Sequence, residues 1–232
     1  MLLRIVATTF AVVLAAPALR AQDLADICRR VQHPPVGAWS EFRVVGGRND
    51  GGTTRLSVVG TETRGDTSYL WLESVARGFH MAGSPDPADT VSFVTKALVR
   101  GFGTGMDQPR EMIMKIGAAP AMIMPVSGAG GSSPMDDCAS GKVVGWESVT
   151  VPAGTFRALH VQDDSGGGDA WILPDLPFAL IKTGMGGPGD SGEMELVAHG
   201  MGATSAITET PRPYDPGLFM KEMMRPAPDT GH

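Results

Sequence analysis

Four methionines in one short stretch have the clearest potential for chemistry in this sequence. Met112 and Met114, and again Met122 and Met124, form two Met-x-Met pairs in a chain that holds 14 methionines in all. Side chains at positions i and i+2 of a strand share one face of the sheet. Because thioether sulfur binds Cu(I), a hairpin carrying these pairs in an exported protein is a candidate copper site.

The register of that hairpin decides whether the two methionine pairs meet. A two-residue loop would place Met112 and Met114 on the face opposite Met122 and Met124, whereas a three-residue loop would place all four on one face. Apolar packing is the alternative role, because methionine is flexible and fills irregular space, including the wall of a lipid groove. We therefore predict a ligand-binding role for these four residues, with an apolar ligand and Cu(I) both open.

A serine in a glycine-rich turn is the other candidate for chemistry. Residues 189–192 read Gly-Asp-Ser-Gly, which resembles the nucleophile motif of trypsin-like serine proteases. A hydrolase would need a histidine within hydrogen-bond reach of Ser191, and His199 is the nearest in sequence. The glycines and proline just before the motif instead indicate the tip of a hairpin. We predict no catalytic residue and no enzymatic activity.

The histidines do not form a recognisable metal-binding motif. The five are His33, His80, His160, His199 and His232. None are paired at metal-ligand spacing, and although His160 and His199 lie in predicted strands and could meet across a sheet, two ligands do not complete a zinc site. No Gly-Lys-Ser/Thr motif for phosphate is present either. The sequence therefore predicts no cofactor and no histidine-based metal site.

The chain has two cysteines, Cys28 and Cys138. An even pair in an exported protein is most simply one disulfide. Cys28 falls on the apolar stripe of a helix predicted over residues 23–31, and Cys138 lies near the end of a Gly/Ser-rich segment at 127–141. The bridge would fasten this N-terminal helix to the rest of the protein.

The N-terminus is typical of a cleavable secretory signal. Arg4 precedes an apolar run from Ile5 to Ala16, and the small residues Ala18 and Ala21 offer two cleavage positions. A run of about a dozen apolar residues is too short for a permanent membrane span. We expect a periplasmic or secreted protein, cleaved after Ala18 or Ala21.

Composition predicts a mainly β fold. With 31 glycines and 18 prolines, the chain has few long uninterrupted stretches, which favours many short strands. We predict about ten antiparallel strands, including segments 90–100, 178–183 and 204–207, and a hairpin turn at 49–52. The spacing of apolar residues in 90–100 also fits a helix, but its Val and Thr content favours a strand. The strands are expected to form a curved sheet or open half-barrel, with a closed barrel or a sandwich as alternatives. The net charge of −6 argues against nucleic acid as a partner. Nothing in the sequence indicates an oligomeric state.

Three regions follow from these patterns. Residues 1–21 form the signal peptide, 22–209 the antiparallel β domain, and 210–232 a proline-rich tail. A short helix is predicted in that tail, because Asp215 suits the N-cap position and Pro216 the first helical position.

One stretch of the β domain resembles a known superfamily. A Trp-Glu-Ser-Val-Thr-Val strand from Trp146 leads through Pro-Ala-Gly to Phe156, and a second strand from Trp171 leads through Pro-x-x-Pro-Phe to Lys182. This pattern is similar to uncharacterised exported bacterial proteins and, more distantly, to the lipoprotein-carrier superfamily, over residues 143–200. The resemblance implies an unclosed antiparallel barrel whose concave face holds acyl chains. It implies a non-enzymatic domain that binds a lipid or another apolar molecule.

Overall fold

Twelve strands make one sheet in the described part of the chain. The computed structural model describes residues 24, 27, 28, 33–80, 90–102, 109–126, 141–162, 168–187 and 190–223. The strands are β1 (Trp39–Val45), β2 (Thr53–Arg64), β3 (Thr67–His80), β4 (Thr90–Val99), β5 (Glu111–Ile116), β6 (Met122–Met124), β7 (Lys142–Val151), β8 (Gly154–Gln162), β9 (Asp169–Ile172), β10 (Leu180–Gly187), β11 (Asp190–Gly200) and β12 (Arg212–Pro213).

The sheet is open, with the order β12-β6-β5-β4-β3-β2-β1-β11-β10-β9-β8-β7. All neighbours are antiparallel except β12 and β6, which are parallel. The prediction of a mainly β fold is confirmed, and of the predicted architectures the structure has the single unclosed sheet rather than a closed barrel or a sandwich. β12 and β7 form its two edges. The ambiguous segment 90–100 is a strand, as predicted.

Short hairpins connect most neighbouring strands, and the turn between β1 and β2 illustrates how the sequence closes such a hairpin. The turn between β1 and β2 contains Asn49, Asp50 and Gly51, and Gly51 has a φ of 82°. Asp50 Oδ1 accepts a hydrogen bond from the Gly46 amide at 2.7 Å. Glycine tolerates this left-handed backbone without a steric penalty, so the hairpin closes at the predicted position.

The centre of the sheet joins distant parts of the chain. β1 pairs with β2 on one side and with β11 on the other, so Trp39 lies opposite both Ser57 and Gly200. An Arg43–Glu195 ion pair of 3.0 Å spans this junction. The strands before and after the 127–141 segment therefore belong to one continuous sheet.

A non-regular segment follows β11 and crosses one face of the sheet. The prediction of a strand at 204–207 is wrong, because these residues bond to side chains of the sheet instead of to another strand. Ser205 Oγ donates to Glu73 Oε2 at 2.6 Å, and the Ala206 amide donates to Glu73 Oε1 at 2.8 Å. Ile207 is buried against Ile113 and Ala121. The segment covers β3 and β5.

The predicted tail contributes to the sheet before it turns into a helix. β12 pairs with β6, and the Arg212 amide donates to the Ala121 carbonyl at 2.8 Å. Helix α1 (Pro216–Met223) then begins at the predicted position. Asp215 Oδ1 accepts hydrogen bonds from the amides of Gly217 and Leu218 at 2.9 and 3.1 Å, which is the expected N-cap geometry.

The predicted N-terminal features lie largely outside the described residues. Of the helix predicted over 23–31, the structure describes Leu24, Ile27 and Cys28, which are buried against Leu159 and other core residues. The structure does not establish the helix, which stays a prediction. The signal peptide and Cys138 lie outside the described residues, so the disulfide also stays a prediction. No helix in the described ranges is long and apolar enough to cross a membrane.

Candidate ligand-binding face

Two rows of side chains cross five strands on one face of the sheet. Residues that lie directly opposite each other in antiparallel strands project to the same face. The first row runs through Val58, Leu72, Ala97, Met112 and Met124. It is apolar throughout.

The second row lies two residues along each strand and projects to the same face. It runs through Leu56, Ser74, Thr95, Met114 and Met122. We call the ten side chains of these two rows the methionine face. Apart from Ser74 and Thr95, its members are apolar.

The register of β5 and β6 brings the four predicted methionines together. Met112 lies opposite Met124, and Met114 lies opposite Met122. The connection between the two strands is five residues long, 117–121, and an odd number has the same effect as the three-residue loop, so all four side chains project to one face. Met122 is fully buried, and the other three are half-buried. The structure thus brings together the residues that the sequence singled out.

A small cavity lies over the centre of the methionine face, beside the methionines. It has a volume of about 50 Å³. Its floor includes Leu56, Leu72, Ser74, Thr95 and Ala97, and Ser57 and Glu73 also line it. Its cover consists of Phe102 and Phe178, whose rings meet edge to face at 4.9 Å. Because Ala97 and Thr95 lie directly opposite Met112 and Met114, the cavity and the methionines are continuous.

The backbone that carries Phe178 is strained. Phe178 and Ala179 have φ angles of 60° and 53°, in the left-handed region that residues with a side chain rarely adopt. The turn is fixed by hydrogen bonds from Ser40 Oγ to the Pro177 carbonyl at 2.8 Å and from the Leu173 amide to the Ala179 carbonyl at 2.7 Å. Strained backbone of this kind concentrates at ligand-binding sites. The strain also explains why β10 begins at Leu180, two residues later than predicted.

The opposite face carries charged residues. Arg43 lies opposite Thr53 in β2, three residues from Leu56, so Arg43 and the methionine face are on different sides of the sheet. From Arg43, a row of directly opposed residues continues through Glu195, Lys182, Trp171 and His160. Lys182 forms ion pairs with Glu193 at 2.7 Å and with Glu195 at 3.6 Å. Lys182 therefore partly neutralises the two glutamate charges on this face of the sheet.

His160 is held at the end of this charged row. Its Nε2 lies 2.9 Å from Asp169 Oδ1, and its ring stacks on Trp171 with centroids 4.6 Å apart. Its Nδ1 is buried and lies 3.3 Å from Glu147 Oε1 without forming a hydrogen bond. Trp171 Nε1 donates to the same Glu147 oxygen. The sequence did not predict this cluster, because the partners come from three different strands.

Two contacts that the sequence left open do not form. His160 and His199 cannot meet, because β9 and β10 lie between their strands and three strand spacings amount to about 14 Å. Ser191 and His199 lie eight residues apart in β11, about 27 Å along a strand. A Ser191–His199 pair is therefore wrong as a catalytic hypothesis. Among the described residues, no group of three or more His, Cys, Asp or Glu side chains could hold a metal ion.

Sequence reasoning found the methionines but missed the cavity beside them. Phe102 and Phe178 come from segments outside β2–β4, and Ser74 and Thr95 come from different strands. Only the three-dimensional pairing brings them together. The left-handed turn at Phe178 had one sequence signal, the Pro-x-x-Pro-Phe step noted above, but that step does not specify a φ angle.

Comparison with known proteins does not place the chain in a family. No protein-family model and no curated protein matches the sequence. Among the solved structures that match, two are covered over almost their whole length. One is a protein from Bacteroides fragilis, inferred to be exported and described as having a YmcC-like fold; it is 10% identical, and the match covers 73% of this chain and 99% of that chain with a TM-score of 0.33.

The second match is a protein from Parabacteroides distasonis that is inferred to be a lipoprotein. It is 11% identical, and the match covers 73% of this chain and 98% of that chain with a TM-score of 0.35. Likeness at this level carries no argument about function. The resemblance to the lipoprotein-carrier superfamily is not confirmed by these comparisons.

Proposed function

We propose that this protein binds an apolar ligand, such as an acyl chain, on the methionine face. The observation that carries the proposal is the continuity of that face. An apolar row from Val58 to Met124 crosses five strands without interruption, and it borders a cavity beneath a strained aromatic cover. Ligand sites are typically apolar concavities with a few polar groups, and methionine adapts to ligands of different shape.

The cavity has to open for such a ligand. Its volume of about 50 Å³ is well below the roughly 300–1,000 Å³ of small-molecule sites. An acyl chain would displace Phe102 or Phe178 from the cover and extend over the methionines. The left-handed backbone at Phe178 favours this movement, because leaving the strained conformation offsets part of the cost of opening.

Native mass spectrometry of the full-length protein, purified from the membrane fraction of its host, tests the proposal. We expect a lipid adduct, or an adduct after adding dodecanoate or phospholipid. Ala97→Leu fills the cavity floor and should weaken binding. Lys96→Leu changes the adjacent residue on the other face and serves as the matched control. A clean apo mass with no response to fatty acid or lipid would refute the proposal.

A second candidate function is Cu(I) binding by the four methionines, and the β5–β6 register favours it. A single site with all four thioethers requires them on one face, and Met112 lies opposite Met124 while Met114 lies opposite Met122. Thioether ligands select Cu(I).

A Cu(I) titration against a competing chelator separates the two functions. Leucine replaces methionine with little change in volume. The double variant Met112→Leu, Met114→Leu should therefore lose copper affinity while it keeps affinity for an apolar ligand. Met201→Leu with Met220→Leu is the control, because both residues are exposed, at 59% and 52%. Unchanged copper affinity in the Met112/Met114 variant would remove this candidate.

A further inference from the structure

Two arginine side chains converge on one tyrosine hydroxyl at an end of the sheet. Tyr69 lies near the start of β3 and is 4% exposed. Arg110, just before β5, donates a hydrogen bond from Nε to the Tyr69 hydroxyl oxygen at 3.2 Å, and Arg100, just after β4, donates to the same oxygen. Burial raises the pKa of the Tyr69 phenol, but the bonds and charges of the two arginines outweigh it, so the pKa lies below its ordinary value of 10.0.

The proton of the Tyr69 hydroxyl has no acceptor in the described part of the chain. A phenol can accept hydrogen bonds while its own O–H group remains available as a donor. Both arginines donate to the oxygen, and no described residue accepts a hydrogen bond from the hydroxyl in return. The proton of Tyr69 is therefore available to an acceptor from outside the chain.

The charges around this hydroxyl do not balance. Glu62 lies directly opposite the tyrosine, and Glu111 follows Arg110 in the chain. Arg64 forms ion pairs with both of these carboxylates, at 2.6 Å and 2.8 Å. Arg100 and Arg110 are exposed, and neither forms an ion pair with a carboxylate of a described residue. Three guanidinium groups beside two carboxylates leave a surplus of one positive charge, which a bound anion would neutralise.

We propose that Tyr69, Arg100 and Arg110 bind a singly charged oxyanion, such as a phosphodiester or a carboxylate. A guanidinium group can donate two parallel hydrogen bonds to such an anion, and the tyrosine hydroxyl adds a further donor. The single negative charge matches the surplus of one positive charge. Tyr69 lies three residues from Leu72, so this oxyanion site is on the face of the sheet opposite the methionine face. The inference is therefore independent of the proposed binding of an apolar ligand.

Titration of the full-length protein with dimethyl phosphate or acetate at constant ionic strength tests the proposal. The chain has two tyrosines, so in the Tyr214→Phe variant the tyrosinate absorbance reports Tyr69 alone. A bound anion favours the neutral phenol that donates to it, so the oxyanion should raise the pKa of Tyr69 until the site is saturated. At neutral pH, the side-chain NMR signals of Arg100 and Arg110 should shift with the same ligand. Chloride has no oxygen acceptors, and at the same concentration it should cause no saturable shift.

Removal of either guanidinium group should weaken oxyanion binding by about tenfold, because hydrogen bonds to charged groups are stronger than neutral ones. Arg100→Gln and Arg110→Gln test the two arginines, and Tyr69→Phe, followed by NMR, removes the hydroxyl while it keeps the ring. Arg157→Gln is the matched control, because Arg157 is an exposed arginine in β8, and this variant should bind as the wild type does. Thermal unfolding checks that each variant is folded.

The source of the oxyanion is identified with vesicles. Phosphatidylglycerol vesicles that bind the wild type but not the double variant Arg100→Gln, Arg110→Gln would identify a lipid head group, whereas binding of the small anions alone would identify a free one. The absence of a saturable shift with either oxyanion overturns the proposal. Equal responses to the oxyanions and to chloride, or affinity that is unchanged in both arginine variants, overturn it as well.

Discussion

Lys115 Nζ lies 2.7 Å from Glu209 Oε1 and so ties the segment after β11 to strand β5. The same carboxylate oxygen accepts a hydrogen bond from the Ala121 amide at 3.3 Å. The bond from Lys115 is the largest influence on this carboxyl, and it lowers the pKa of Glu209 to about 2. The attachment of the segment that covers β3 and β5 therefore depends in part on the ionised carboxylate of Glu209.

This pKa predicts a loss of stability in acid. Because the folded-state pKa of Glu209 is lower than its ordinary value of 4.5, the stabilisation is complete above that value and is lost as the pH falls toward 2. Urea unfolding midpoints measured between pH 6 and pH 2 should show this decline in the wild type. Glu209→Gln should show less of it, and equal declines in both proteins would contradict the assignment. Since both side chains are partly exposed, we expect a modest effect that weakens with salt.

The methionine face contributes to stability through Met122. Its side chain is fully buried, so Met122→Ala removes buried apolar volume and should lower the free energy of unfolding by about 2–5 kcal/mol. Met201→Ala is the control, since Met201 is 59% exposed and its replacement should change stability by no more than about 0.5 kcal/mol. Denaturant unfolding measures both, and similar values for the two variants would contradict the burial of Met122.

Replacement of Ala179 by glycine tests the backbone strain beside Phe178. Ala179→Gly removes one buried methyl group, which costs about 0.8 kcal/mol of stability, and it also adds backbone freedom to the unfolded state. The same change relieves about 1–2 kcal/mol of left-handed backbone strain. We therefore expect a net change in the free energy of unfolding close to zero, as measured by denaturant unfolding. Ala158→Gly is the matched control: Ala158 is equally buried in β8 but is not among the residues with positive φ. The Ala158→Gly variant should lose about 1–2 kcal/mol of unfolding free energy, because no relief of backbone strain compensates for the lost methyl group.

The predicted Cys28–Cys138 bridge can be tested directly. Cys28 is 3% exposed and packs with Leu159 and Ile172 in the core, so it is well placed to anchor a cross-link. Peptide mapping of the secreted protein without reduction should yield one cross-linked peptide pair. Two alkylated thiols after unfolding without reductant would show that the bridge is absent.

Elements that are determined by residues close together in the chain could be predicted from the sequence. The strand at 90–100, the turn at 49–52 and the helix after Asp215 each follow from propensity, turn chemistry or capping within a few residues. The methionine pairs were visible for the same reason. Their common face could not be predicted, because it depends on whether the loop between the strands has an odd or an even number of residues, which composition alone does not specify.

Features that depend on distant partners could not be read from the sequence. The segment at 204–207 has strand-forming residues, but its hydrogen bonds go to Glu73, which is more than 130 positions away. The cavity needs Phe178 above Leu72, and the His160 cluster needs three strands in one register. Such contacts are set by strand order, which local patterns do not specify.

The pairing of β1 with β11 has a consequence for the time course of folding. Apart from β12, which pairs with β6, each flank of the sheet consists of strands that are close in sequence, so β2–β6 and β7–β11 can form as successive hairpins. The ladder between them joins positions 161 residues apart, such as Trp39 and Gly200, and closing so long a loop costs more chain entropy than any hairpin in either flank. The β1–β11 pairing should therefore form last and set the overall folding rate, in the slow range typical of sheets with high contact order. Until β1 and β11 pair, a newly made chain exists as two half-sheets, and each exposes one of these two strands as an edge.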